Sequence, residues 1–224
     1  MVLPRLYPIL DAGCFPDTHG LFRAAKELAA GGCELIQYRN KTGNSRVMLE
    51  QARELRRVLE DQSQNPHPKI AKSAILVWGT HPGLRLIMND RADLCLAAEF
   101  DGVHVGQDDL SPTSVREIIG PDRWLGVSTH NPEQLREADL TSADYLAIGP
   151  VFATSSKERP DPVIGLEGVR RARALTRKPL VAIGGIARTN AVSVIEAGAD
   201  SVAVISDLLR DPRKSAEEFF RILR

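Results

Sequence analysis

Eight short runs of branched aliphatic residues recur along the chain, and the stretches between them carry helical spacing. The runs are LYPIL, CELIQY, RLIMN, GVHVG, WLGVS, DYLAIG, PLVAIGG and SVAVIS. Each is close to continuously apolar, as a strand buried on both faces must be. Segments such as LFRAAKELAAGG and SRVMLEQARELRRVLE instead place apolar residues three and four apart. Strand then helix, repeated about eight times, predicts an α/β fold of the single (β/α)8 barrel type, the TIM barrel. The competitor is an open doubly wound sheet. The number of strands and the lack of a GxGxxG turn after the first one favour the barrel. At 224 residues the chain is read as one domain, 1–224.

Punctuation agrees with this period. SPTSVREI offers Ser111 as a helix N-cap with Pro112 at the first helical position, and NPEQLREA repeats the device with Asn131 and Pro132. EAGAD, at 196–200, stops a helix at a glycine before the last strand. One segment breaks the rhythm: 61–83, DQSQNPHPKIAKSAILVWGTHPG, is long for a helix-to-strand link. As a helix-to-strand connection it is expected on the bottom face, away from the usual active site, so His67 and His81 are read as solvated loop residues.

Charge narrows the function classes. Lys+Arg and Asp+Glu balance at 29 each, which argues against a broad nucleic-acid footprint but not against a small cationic pocket. Cys14, Cys33 and Cys95 are far apart and form no CxxC pair, so isolated thiols in a reducing compartment are expected. No run of about 18 apolar residues is present. The start, MVLPRLYPILDAG, reads as a first strand rather than a signal peptide. A cytoplasmic protein is the expectation.

In a barrel, function gathers where strands end. Read only there, the sequence yields Gln37, Arg39 and Lys41 after the second strand, and Asn89, Asp90 and Arg91 after the third. The fourth gives His104, Gln107, Asp108 and Asp109; the fifth, Ser128, Thr129 and His130. The sixth gives Thr154, Ser156 and Lys157, the seventh Gly184 and Gly185, and the eighth Ile205 and Ser206 before a short helix. Singly, each has a plain reading: a helix cap, a turn glycine, a solvated lysine, a satisfied barrel histidine. Together they put polar groups at one end of one barrel, which folding alone does not require.

The charges also sort. Arg39, Lys41 and Lys157 suit an anion with several negative charges. Asp90 and Asp109 would repel such an anion unless Mg²⁺ bridged them to it, and this ion commonly joins one or two carboxylates to substrate phosphates. A second anion site is expected where Gly184 and Gly185 allow close backbone approach and a short helix follows Ile205.

The blocks GGCELIQYRNK, IMNDRADL, DGVHVGQDDL, LGVSTHNPEQL, ADYLAIGPVFATSSK and PLVAIGGI…AGADSVAVIS occur in this order from about residue 5 to 210. In these blocks the chain resembles the thiamine-phosphate synthase family. The resemblance implies a transferase that joins 4-amino-2-methyl-5-hydroxymethylpyrimidine diphosphate to a thiazole phosphate, releasing pyrophosphate. It implies that Arg39, Lys41, Asn89 and Lys157 hold the pyrophosphate and that Asp90 and Asp109 hold Mg²⁺. Gln37 and Ser128 would contact the diphosphate and the pyrimidine, with His104 near the ring. Thr154, Ser156, Gly185, Ile205 and Ser206 would take the thiazole phosphate. Lys157, Ser128, Arg39 and Lys41 are the residues expected to act in catalysis, and ATSSK is read as a lid. Ser156 departs from the family's usual threonine but keeps the hydroxyl. The implied partners are small-molecule substrates, with no nucleic acid and no membrane, and a homodimer is left open. Two alternatives stand beside this reading: a thiazole tautomerase on the same barrel, using a histidine at the position of His130, and a non-catalytic phosphate-binding barrel.

Overall fold

The computed structural model describes residues 2–63, 84–154 and 161–224. Eight parallel strands close into a barrel in sequence order: β1 Leu6–Asp11, β2 Leu35–Arg39, β3 Arg85–Asn89, β4 Gly102–Val105, β5 Trp124–Thr129, β6 Tyr145–Ile148, β7 Leu180–Ile183 and β8 Ser201–Val204. The helices are α1 Thr18–Ala30, α2 Ser45–Ser63, α3 Ala92–Ala97, α4 Pro112–Ile119, α5 Pro132–Asp139, α6 Gly165–Leu175, α7 Ala191–Glu196, α8 Ser206–Leu209 and α9 Pro212–Ile222. All eight apolar runs of the sequence become strands. Ser111 and Asn131 cap α4 and α5 by accepting from the backbone N–H groups of Ser114 and Gln134.

Side-chain parity divides the interior into two layers, because successive residues of a strand face opposite sides of the sheet. Leu6, Leu10, Ile36, Tyr38, Val103, Val105, Leu125 and Leu146 face outward and pack beneath the helices. Helix α2 answers with Met48, Ala52, Leu55, Val58 and Leu59 on one stripe. Burial of each such leucine or valine stabilises the fold by about 1.5–3 kcal/mol. The opposite parity fills the barrel lumen with Tyr7, Ile9, Leu35, Ile87, Tyr145, Ala147, Val181 and Ala203. At the bottom the Arg85 guanidinium lies 4.4 Å over the Trp124 ring.

A repeated aspartate fixes strand pairs at that lower end. Asp101, Asp144 and Asp200 each precede an even-numbered strand. Their N–H groups donate to the carbonyls of Leu86, Leu125 and Leu180 on the preceding odd strand. Their carboxylates accept from the N–H groups of the same leucines at 2.9, 2.7 and 2.8 Å. Each clamp therefore satisfies both backbone groups of one strand-entry residue. Arg116 and Arg173 brace Asp144 and Asp200.

The insertion read at 61–83 begins with the last turn of α2, at 61–63. Residues 64–83, with His67, His81 and AILVW, lie outside the described residues, as do 155–160. Cys14, Cys33 and Cys95 are free thiols, and burial pushes those of Cys33 and Cys95 up to about 12. No described helix is long and apolar enough to cross a membrane.

Candidate active site

The upper end of the barrel receives polar side chains at the inward parity of the first five strands: Asp11 from β1, Gln37 and Arg39 from β2, Asn89 from β3, His104 from β4 and Ser128 from β5. The register sets their heights, with Asp11 level with Arg39 and Asn89 level with His104. The chain turns sharply after Arg39. Asn40 is buried on the helix side, where its Oδ1 accepts from the N–H groups of Thr42 and Gly43. That turn sends Lys41 back across the mouth to the Asp90 carboxylate, with which it forms an ion pair.

Asp90 sits in the left-handed region at φ 62°, which a non-glycine residue adopts at a cost. Its N–H donates to the His104 carbonyl at 2.8 Å, which fixes the turn that carries its carboxylate. Burial raises its pKa first of all. The contact with Asp109 raises it further, and Lys41 opposes both. Asp109 is held from behind, accepting from the Gly106 N–H at 2.7 Å. The folded chain thus forces two carboxylates together at the ends of β3 and β4. Among the described residues no cluster of three His, Cys, Asp or Glu is present. A closed protein cage is therefore not built there. The donor set matches a divalent ion that keeps waters and takes further oxygens from a phosphate.

Arg39, read as a cation for a phosphate, forms an ion pair with Asp11. Asp11 was missed in the sequence, although it continues the inward parity of Tyr7 and Ile9. Arg91 turns away from the mouth: it pairs with Asp93 and donates to Ser45 Oγ at 2.9 Å. Thr129 is also directed outward, donating to the Ala147 carbonyl. His130 is tied to the Gly149 carbonyl oxygen through Nδ1 at 2.8 Å.

Below the mouth lies a buried polar file. His104 Nε2 is 2.8 Å from Ser128 Oγ, and its Nδ1 is 3.1 Å from Tyr145 Oη. Tyr145 Oη is 2.7 Å from Tyr7 Oη, which accepts from Gln37 Nε2 at 3.0 Å. Burial drives His104 down to about 4, so its imidazole is neutral at pH 7. The plain reading of this histidine from the sequence, a satisfied barrel histidine, describes these two hydrogen bonds. Gly126 makes room for the file, since a β-carbon there would overlap the Tyr145 ring and His104 Nδ1.

On the far side, Gly184 and Gly185 have φ values of 101° and 63°. A β-carbon on Gly185 would stand 2.5 Å from the Ala153 carbonyl oxygen and 2.8 Å from Phe152 Cβ. The close approach these glycines permit is therefore to the segment after β6, which continues the ladder through Val151 N–H to Ile183 O and Phe152 N–H to Gly184 O. That pairing delivers half-buried Thr154 to the rim. Ile205, at the entry to α8, is half-buried and Ser206 is exposed. Ser156 and Lys157 lie outside the described residues.

Comparison with known proteins bears on this arrangement. The family model for thiamine monophosphate synthase matches residues 68–208. A thiamine-phosphate synthase of Koribacter versatilis is 56% identical, over 99% of this chain and 96% of its own length. One from Chloroflexus aurantiacus is 41% identical, over 90% of this chain and 83% of its own. The solved structure of thiamine phosphate pyrophosphorylase from Pyrococcus furiosus matches with a TM-score of 0.78 at 30% identity, covering 98% of this chain and 95% of that one. The family model spans β3 to β8 with Asp90 and Asp109, the Koribacter and Pyrococcus matches cover nearly the whole chain, and the chain belongs to the thiamine monophosphate synthase family.

Proposed function

We infer that the barrel mouth is the active site of a thiamine-phosphate synthase, a transferase of thiamine biosynthesis. It couples the hydroxymethylpyrimidine diphosphate to thiazole phosphate. The bond between the pyrimidine methylene carbon and the diphosphate oxygen breaks, and a bond from that carbon to the thiazole nitrogen forms. Pyrophosphate leaves with the bonding electrons. The observation that carries this reading is the forced pairing of Asp90 with Asp109, with Lys41 drawn onto it. Such a pair is costly to bury without a cation and serves a phosphorylated substrate when one arrives.

Asp90 and Asp109 would hold Mg²⁺, which supplies charge stabilisation for the departing pyrophosphate when bound. Arg39, Lys41 and Asn89 line the same rim and are assigned to the leaving group's oxygens. Lys157 is assigned to it by its place in the sequence. Donors fixed in advance where charge develops lower the barrier without reorganising. Gln37, His104 and Ser128 orient the pyrimidine from within the lumen. Thr154, Ser156, Gly185, Ile205 and Ser206 are assigned to the thiazole phosphate. The thiazole nitrogen is already nucleophilic, so the barrel's remaining task is to hold it over the reacting carbon.

The test combines metal removal with substitution. EDTA should abolish coupling and added Mg²⁺ should restore it. Asp90→Asn and Asp109→Asn should each lower coupling about 100-fold and raise the Mg²⁺ needed for half-maximal rate. An unchanged metal titration in both variants would remove the metal assignment. Tautomerisation of the thiazole without metal, in a protein that does not couple, would replace the synthase with the isomerase alternative.

A further inference from the structure

The file through the lumen has a direction, and donor counting supplies it. Gln37 Nε2 donates to Tyr7 Oη. Tyr7 has then accepted one hydrogen bond and has one proton to place, and Tyr145 Oη lies 2.7 Å away. Tyr145, having accepted in turn, donates to His104 Nδ1. A neutral imidazole that accepts at Nδ1 carries its proton on Nε2. Nε2–H therefore donates to Ser128 Oγ, and the serine's own proton is left over. The reverse direction would confront the Tyr7 proton with the amide nitrogen of Gln37 on one side and the Tyr145 proton on the other. Tyr7 is fully buried, so that proton would have no acceptor.

We propose that Tyr7 and Tyr145 are positioning residues that lock His104 in the Nε2–H tautomer and so present Ser128 to the mouth as a hydrogen-bond donor. The same file occupies one N–H of Gln37 and leaves its Oε1 as an acceptor. Ser128 and Gln37 then offer one donor and one acceptor from separate strands, β5 and β2. That pair selects a heterocycle with an acceptor ring nitrogen and an exocyclic amino group. The inference rests on the proposed function for the identity of this heterocycle, the aminopyrimidine. It adds the cause of the selection, two buried tyrosines bonded to Gln37 and His104.

The experiment begins on unliganded wild-type protein with isotope-labelled histidine. The nitrogen shifts of His104 should show Nε2 protonated and Nδ1 bare. Tyr145→Phe removes the central hydroxyl at nearly constant volume and should let both tautomers populate. In steady state it should raise KM for the pyrimidine diphosphate about tenfold, with a smaller fall in kcat, and leave KM for thiazole phosphate within about twofold. Tyr7→Phe cuts the file one link earlier and should move the same constants in the same direction, which covers a failure of the first variant to fold. An Nδ1–H tautomer in an active wild-type enzyme overturns the relay alone. So does a folded variant in which the pyrimidine KM does not move, or in which both KM values rise together. Wild-type protein with Nε2–H but no coupling activity overturns the assigned reaction and the substrate half of this proposal with it.

Discussion

His104 shows how a single side chain serves structure and chemistry together. Its ring is buried, and burial holds its pKa near 4, well below the ordinary value of 6.5. The unfolded chain takes up a proton as pH falls through 6.5, whereas the folded chain resists until about pH 4. Between those values the unfolded state binds more protons, so stability is complete above 6.5 and declines as pH falls. From pH 7.5 to 4.5 this one group should remove roughly 2–3 kcal/mol. Urea midpoints at both pH values, for wild type and His104→Gln, isolate it, because the carboxylates titrate alike in both proteins. An equal loss in the variant would mean the imidazole is not the source. Asp90 makes a related point, since its raised carboxyl and left-handed backbone are both costs carried at the rim.

At the scale of elements, the sequence disclosed a good deal, and what it withheld has a physical cause. All eight strands were legible because parallel strands must be apolar on both faces. The caps at Ser111 and Asn131 were legible because they carry side-chain chemistry. Tyr7 and Tyr145 were not, because a continuously apolar strand does not say which parity faces the lumen, and a tyrosine in such a run reads as bulk. Arg91, which the sequence places at the end of the third strand without a role, stands beside Asp90 in sequence but pairs with Asp93 and Ser45. The aspartate clamps are visible once known, as the residue before GVHV, before the strand of Tyr145 and before SVAV, yet each looks like an ordinary turn residue. They yield a prediction at their own scale. Asp101→Ala strands the buried N–H of Leu86 and should cost about 1–3 kcal/mol in denaturant unfolding, with kcat and KM unchanged. A matching loss of activity would show that the two ends of the barrel are not independent.

Across the whole molecule, the two ends divide the work. The lower end spends its ionic groups on fixing strands: Asp144 with Arg116, Asp200 with Arg173, and Arg85 over Trp124. The upper end holds its groups under tension, with like charges in contact and a residue in a disfavoured backbone region. This matches the general behaviour of parallel barrels, in which the C-terminal face carries chemistry and the N-terminal face carries stability. In the lumen the two tyrosines link Gln37 of β2 to His104 of β4 beneath the mouth. The balance of 29 basic and 29 acidic residues fits a protein whose cations are spent locally rather than spread as a field.

The pairing of Arg39 with Asp11 and of Lys41 with Asp90 has a kinetic consequence. Arg39 and Lys41, already resting on carboxylates, project little positive potential into solvent and so draw a polyanion only weakly from a distance. Capture should therefore depend on short-range exchange of partners after contact. Stopped-flow association of the pyrimidine diphosphate should slow by less than about threefold between roughly 0.02 and 0.2 M salt, where a steered encounter would fall far more steeply.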